Sequence, residues 1–149
     1  MTIAVASDHG GFKLKNKIKE YLQANGYEIL DFGTNSTESC DYPDFALPAA
    51  EAVSSGTCER GIIVCTTGIG VSIVANKVPG VRCALCQDNY CAEFTRRHND
   101  ANVLAMGEKV VKEGNALEMV DIFLKTQFDG GKHLRRVEKI TAIEKKYCK

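Results

Sequence analysis

Five short apolar runs recur along the chain, and segments with helical periodicity separate them. The runs lie at 2–6, 27–31, 61–65, 81–86 and 103–106. Several are continuously apolar, which is typical of strands covered on both faces. The helical patterns fall near 11–25, 43–55, 69–77, 89–97 and 108–126. Because strand and helix alternate, we predict an α/β fold in three layers (α/β/α, Rossmann-like) around a five-stranded parallel sheet.

Length and composition exclude several classes of protein. The 149 residues predict a single domain over 1–149. No apolar run reaches the roughly 18 residues of a membrane helix, and the segment before Asp8 lacks the features of a signal peptide. The 19 basic and 19 acidic side chains cancel, which argues against a general nucleic-acid-binding protein. Seven cysteines, an odd number, favour a reducing, cytoplasmic location.

Positive charge is concentrated at the C-terminal end. Residues 131–149 hold seven basic and two acidic side chains, net +5, whereas residues 1–60 hold five basic and nine acidic, net −4. We predict a protruding basic helix over about 131–147, after Gly130-Gly131. Lys132 and Arg136 would share one face of it, which suits a phosphate. A solvated basic face is the alternative interpretation.

Reactive residue types follow the first strand, in Ser7-Asp8-His9-Gly10-Gly11. Ligands of open parallel sheets bind beyond the carboxyl ends of the strands. A carboxylate and an imidazole at such an end, beside glycines that allow close backbone approach, indicate a binding or catalytic segment. The alternative is a helix cap formed by Ser7 or Asp8, with His9 merely exposed.

A glycine-rich loop, Cys65-Thr66-Thr67-Gly68-Ile69-Gly70, follows the third strand. Its free N–H groups would favour an anion or a developing oxyanion, and they would stabilise a thiolate at Cys65 as a base or nucleophile. A structural turn with a buried cysteine is the alternative. The loop matches neither a dinucleotide fingerprint nor a Walker A motif. A C-x₅-R phosphatase loop is disfavoured because Val71 occupies the arginine position.

Two further segments each have a structural and a functional interpretation. Arg96-Arg97-His98-Asn99-Asp100-Ala101-Asn102 precedes the fifth strand, where His98 could transfer protons or the segment could be a solvated helix end. Cys83-Ala84-Leu85-Cys86 is formally a C-x-x-C motif. We interpret it as structural, because residues three apart on a strand face opposite sides of the sheet.

Taken together, these motifs resemble the family of ribose, galactose and allose phosphate isomerases over nearly the whole chain. The resemblance rests on Ser7 to Gly11, Asp41-Tyr42-Pro43-Asp44, Cys65 with Thr67 to Gly70, Arg97 to Asn102, and Gly131 to Val137. The chain departs from the family at Thr66, where glycine is common, and at Lys109 and Lys132, where arginine is common. Lysine keeps the charge but loses the bidentate fork.

The resemblance implies interconversion of D-ribose 5-phosphate and D-ribulose 5-phosphate in the non-oxidative pentose phosphate pathway, without metal or cofactor. Cys65 would be the base, and Thr67 with the loop N–H groups would stabilise an enediolate. His98 would open the sugar ring, with Asp8 assisting. The implied substrate-binding set is Asp8, His9, Tyr42, Thr66, Thr67, Gly68, Ile69, Gly70 and Asn99. The implied phosphate-binding set is His9, Lys109, Lys132 and Arg136.

The resemblance also implies a homodimer or homotetramer whose C-terminal segment completes the neighbour's active site. Allose 6-phosphate and galactose 6-phosphate are the alternative substrates within the family. A non-catalytic domain that binds a sugar phosphate or a nucleotide is the alternative from a different class, although it would give Cys65 and His98 no role. Because the three histidines fall in separate segments, no metal site is expected.

Overall fold

The computed structural model describes residues 1–148 and confirms the predicted α/β fold. The five strands are β1 (Thr2–Ser7), β2 (Glu28–Asp31), β3 (Arg60–Cys65), β4 (Cys83–Leu85) and β5 (Val103–Gly107). They form one parallel sheet in the order β2-β1-β3-β5-β4. The helices are α1 (Phe12–Ala24), α2 (Pro43–Ser54), α3 (Ile69–Ala75), α4 (Asn89–Asn99), α5 (Glu113–Lys125) and α6 (Lys132–Tyr147).

Helices cover both faces of the sheet. Ile3 and Val5 of β1 point into a core shared with α1, α4 and α5. Ala4 and Ala6, which alternate with them, face α2 and α3. Because successive strand residues point to opposite faces, a continuously apolar strand supplies both cores at once. This accounts for the unbroken apolar runs of the sequence.

The predicted bounds differ from the structure mainly at β4 and α5. The strand predicted at 81–86 is shorter in the structure and covers only Cys83–Leu85. The Arg82 amide donates its hydrogen bond to the Asn102 side chain and not to the backbone of a neighbouring strand. The helix predicted from residue 108 begins at Glu113. The segment before it turns, with the amides of Val110 and Val111 both donating to the Gly107 carbonyl.

The carboxyl ends of β1 and β3 lie side by side, and the chain leaves them toward opposite edges of the sheet. Such a reversal of strand order opens a crevice, which is the usual ligand site of an open parallel sheet. The segments Asp8–Gly11 and Cys65–Gly70 both start at this crevice. The topology thus places the two most reactive segments of the sequence together.

Helix α6 lies outside the three layers. It packs on α4, and Val137 is its only buried residue among those described. It starts at Gly131, whose φ of 57° and ψ of −128° are accessible mainly to glycine. No helix in residues 1–148 is long and apolar enough to cross a membrane.

A buried ion pair ties α1 to the end of β2. Lys15 is 1% exposed, and its Nζ lies 2.9 Å from Asp31 Oδ1 and donates to the Thr34 carbonyl at 2.7 Å. Burial opposes ionisation of Asp31, but hydrogen bonds from the Gly33 amide, Lys15 and Lys19 outweigh it and lower the pKa. The amide of Thr34 in turn donates to the Ser7 carbonyl, so this pair steadies the residue before Asp8.

Replacing Lys15 with methionine should lower the free energy of unfolding by about 3 kcal/mol, because Asp31 would lose its buried cation. The matched control is Lys19→Met, which removes a partly exposed cation from the same carboxylate and should cost under about 1 kcal/mol. Urea denaturation measures both.

The effect of Lys15→Met should depend on pH in one direction. Since folding lowers the pKa of Asp31, its stabilisation is complete above the ordinary aspartate pKa and is lost as the pH falls through the folded value. Equal losses in the two variants, or a Lys15 effect that grows toward acid, would contradict this account.

Candidate active site

Cys65 lies at the end of β3, with its thiol facing the glycine-rich loop. The Gly68 amide donates to Cys65 Sγ at 3.1 Å, and Cys65 is only 5% exposed. The Ile69 amide donates to Thr67 Oγ1 at 3.2 Å, which leaves the Thr67 hydroxyl proton to donate outward. The Cys65 sulfur therefore has a backbone N–H donor on it and a hydroxyl donor beside it.

Close backbone packing fixes this loop from below. A Cβ on Gly107 would lie 2.5 Å from the Thr67 carbonyl carbon, and one on Gly68 would lie 2.7 Å from the Met106 backbone. The φ of Gly68 is 81°, a conformation that favours glycine. Thr66 does not adopt it: among residues 1–148, Asp100 alone has a positive φ without being glycine. The threonine that departs from the family pattern thus sits in ordinary backbone.

Asp8 and His9 occupy the neighbouring strand end. Asp8 Oδ1 accepts from the amides of Gly10 and Gly11, at 3.0 and 3.2 Å, so Asp8 caps the short 3₁₀ turn His9–Gly11. The helix cap, which was the alternative interpretation of this segment, is therefore present, and the second carboxylate oxygen of Asp8 stays available. His9 is exposed, and its Nδ1 accepts from the Cys40 amide at 3.2 Å.

Two more predicted residues border the same loop. A Cβ on Gly70 would lie 2.6 Å from the Tyr42 ring, so Tyr42 packs directly over the loop. The Lys109 amide donates to the Thr66 carbonyl at 3.1 Å, which brings its exposed side chain beside the crevice. We call this group the thiol half-site: Asp8, His9, Tyr42, Cys65 to Gly70, and Lys109.

His98 and Asn99 lie toward the opposite end of the strands from the Cys65 thiol. Helix α4 leaves the carboxyl end of β4 and runs back to the amino end of β5, where it ends at Asn99. Cys65 pairs with Gly107, at the other end of β5 from Val103. Four residue steps along a strand span about 13 Å, so within one chain His98 and Asn99 do not reach the Cys65 thiol.

The structure divides the motif around His98 into structural and exposed residues. Arg96 is buried, and its Nη1 bonds Asp100 Oδ1 at 2.8 Å and the Ala101 carbonyl at 2.7 Å. Asn102 bonds the backbone of Arg82 and Gly80. These residues close the helix end, and they leave Asn99 exposed and His98 half-buried.

His133, a residue without a predicted role, stacks on His98. The ring centroids are 4.1 Å apart with an interplanar angle of 8°. The three histidines fall in separate segments of the sequence, and the structure brings two of them together because α6 packs on the end of α4. Burial, and next the nearby His98, lower the pKa of His133. We call this second group the imidazole half-site: His98, Asn99, Lys132, His133 and Arg136.

The C-x-x-C motif matches its structural interpretation. Cys83 borders the core beneath α2 and α3, and Cys86 lies in the core beneath α1, α4 and α5. Burial raises the pKa of Cys86 to about 12 and raises that of Cys83 as well. Both are therefore neutral thiols on opposite faces of the sheet.

A family model described as Ribose/Galactose Isomerase matches residues 3–140. The chain belongs to this family. Ribose-5-phosphate isomerase B of Escherichia coli is 47% identical over 144 residues, which cover 97% of each protein.

Solved structures agree with the family assignment. Ribose-5-phosphate isomerase B of Clostridium thermocellum superposes with a TM-score of 0.97 at 57% identity and covers 99% of each chain. The Mycoplasma genitalium enzyme, solved with bound ribulose-5-phosphate, has a TM-score of 0.94 at 41% identity, covering 97% of this chain and 96% of that one. The protein is therefore an isomerase, and the resemblance seen in its motifs is confirmed.

Sequence patterns missed several residues that shape the site. Gly107 and Gly10 were invisible as contact points because a glycine packed against a distant loop leaves no local signal. Glu108, whose Oε1 accepts from the Leu14 amide at 2.7 Å, anchors the start of α1. His133 stood beside Lys132 in a segment analysed only for charge.

Replacing Gly107 with alanine should lower kcat/KM by about 100-fold, because its Cβ would displace the Thr67 backbone and with it the thiol loop. Gly114→Ala is the matched control, since a Cβ there meets nothing within 4 Å. Steady-state kinetics of the purified variants measure the effect. Full activity in Gly107→Ala would show that the loop tolerates the shift.

Proposed function

We propose that the protein interconverts D-ribose 5-phosphate and D-ribulose 5-phosphate. The observation that carries this proposal is the thiol half-site, in which Cys65 Sγ accepts from the Gly68 amide beside the Thr67 hydroxyl. The names of the Escherichia coli and Clostridium thermocellum relatives, and the ribulose-5-phosphate in the Mycoplasma genitalium structure, support this substrate.

The reaction begins with ring opening, because ribose 5-phosphate exists mainly as a furanose. A proton must leave the hydroxyl on C1, and one must reach the ring oxygen as its bond to C1 breaks. A neutral imidazole can accept the first proton and deliver one to the ring oxygen, which is the role proposed for His98. The free oxygen of Asp8 would assist, and Asn99 would hold a sugar hydroxyl.

Proton transfer between C2 and C1 follows. The Cys65 thiolate removes the proton on C2, the electrons move to the carbonyl oxygen, and an enediolate forms. Thr67 and the N–H groups of Gly68 to Gly70 are the proposed donors to that negative charge. The same thiol returns the proton to C1, while the proton of the C2 hydroxyl passes to O1, which leaves the carbonyl of the ketose at C2. This route uses a base and fixed dipoles, so we propose that it requires no metal.

The phosphate is proposed to bind His9, Lys109, Lys132 and Arg136. His9 and Lys109 are exposed beside the thiol loop, whereas Lys132 and Arg136 are exposed on α6. Charged donors of this kind form the stronger class of hydrogen bonds to phosphate. Tyr42 and Thr66 would complete the wall around the sugar.

We propose that each active site combines the thiol half-site of one chain with the imidazole half-site of another, in a homodimer or a larger homo-oligomer. Two observations support this. The half-sites lie toward opposite ends of the strands within a chain, and large apolar side chains stay exposed near the edge strand β4, including Ile69, Ile73 and Ile143. A two-fold symmetric pairing would bring both half-sites together twice.

Wild-type protein mixed with ribose 5-phosphate should form ketose. Cys65→Ser should lower kcat by about 10²–10⁴-fold, because the serine hydroxyl does not ionise readily enough to accept the proton from C2. Calorimetry should show substrate binding within a few-fold of wild type. Chelator-treated protein tests whether the reaction needs a metal, and allose 6-phosphate tests the choice of substrate.

Three results would contradict the assignment. Retention of more than about a tenth of kcat in Cys65→Ser would move the base elsewhere. A higher kcat/KM for allose 6-phosphate would make that the substrate. Tight binding of ribose 5-phosphate without ketose formation would favour a binding domain.

Mixing two inactive variants, Cys65→Ser and Arg136→Ala, should restore activity if sites are shared. In a mixed dimer one site receives both altered residues, and the other site receives neither. Sedimentation should show subunit exchange in the same mixture. Exchange without recovery of activity, or a fully active monomer, would refute the shared site.

A further inference from the structure

His98, Asp129 and His133 form a cluster that neither the sequence motifs nor the proposed reaction explains. Their ligand atoms all lie within 4.8 Å of one another. Asp129 sits at the turn before α6, and both oxygens of its carboxylate lie 3.2 Å from Arg97 Nε. Helices α4 and α6 and the turn between α5 and α6 thus converge on one imidazole pair.

The geometry of the cluster argues against a metal site. The lone pairs of an imidazole lie in its ring plane, and these two planes are stacked 4.1 Å apart at 8°. An ion at the usual distance of about 2 Å from both nitrogens would lie outside both planes. The carboxylate of Asp129 is already paired with Arg97, and Lys132 adds positive charge beside His133.

Two rings contact the His98 ring. The Phe94 ring meets it edge to face, with centroids 5.0 Å apart at 72°, and Tyr90 stacks on Phe94 at 4.4 Å. His133 stacks on the His98 ring face to face. A histidine that accepts a proton from the C1 hydroxyl and donates one to the ring oxygen must point its ring nitrogens at both atoms, so its rate of proton transfer depends on the orientation of the ring.

We infer that His133 is a positioning residue: its ring fixes the plane of the His98 imidazole for opening the sugar ring. The inference rests on the ring-opening role proposed for His98. Burial and the neighbouring His98 lower the pKa of His133, which fits a flat platform rather than a second cation. A ring of any chemistry that stacks equally well should therefore replace it.

The test compares two substrates that differ only in ring closure. Ribose 5-phosphate enters as a furanose, whereas 4-deoxyribose 5-phosphate lacks the hydroxyl that closes this ring and stays open-chain with the same length and phosphate. His133→Ala should lower kcat/KM for ribose 5-phosphate by about 10–100-fold and barely affect the open-chain analogue. His133→Phe, which restores a stacking ring, should stay within about threefold of wild type on both.

Two controls separate the possible failures. Arg135→Ala, an exposed neighbour on α6, should leave both substrates unchanged, and thermal unfolding with sedimentation should show that each variant folds and assembles as wild type does. His98→Ala should be selective for ribose 5-phosphate. Equal losses of His98→Ala on both substrates would refute the ring-opening role itself and so the proposed function.

Other outcomes would overturn only the role of His133. If His98→Ala is selective but His133→Phe fails as badly as His133→Ala, stacking is not what His133 provides. If His133→Phe weakens both substrates alike, His133 acts on the phosphate that they share. Full activity in His133→Ala would show that Phe94 alone orients His98.

Discussion

The structure depends on backbone packed directly against backbone where β1, β3 and β5 end. Gly107 lies against the Thr67 backbone, and Gly11 lies against the Val64 backbone, at distances that no Cβ would tolerate without displacing a neighbour. This contact holds the loop after β3 in a single path, and that path aims the Gly68 amide at the Cys65 sulfur. The thiol chemistry therefore follows from how closely three strand ends approach one another.

The sequence was sufficient to predict the sheet and the thiol half-site, for related physical reasons. Continuous apolar runs such as 61–65 indicate a strand that is buried on both faces. In a parallel sheet the carboxyl ends of all strands lie on the same side. Asp8 and Cys65 each follow such a run, so their proximity could be inferred without knowing any contact. The motif resemblance then separated an isomerase from the other thiol chemistries.

Features that depend on distant packing could not be predicted this way. The helix that starts at Glu113 was placed too early, because the turn at Val110 and Val111 depends on the Gly107 carbonyl. Nothing in the sequence separates Lys15 from the other lysines of α1, yet Lys15 is buried on Asp31. The stacking of His133 on His98 requires knowing where α6 lies, and a helix with one buried residue carries no strong signal of its partner.

The glycine turn before α6 sets the direction in which that helix leaves the three layers. The 16 residues of α6 span about 24 Å, so a tilt of about 10° at Gly131 would carry the far end, near Tyr147, through about 4 Å. The first turn, with His133, would move by less than about 1 Å. The hydrogen bond from the Gly80 amide to Glu144 Oε1 at 2.9 Å, near the far end, therefore constrains the direction of α6 more than any contact of its first turn does.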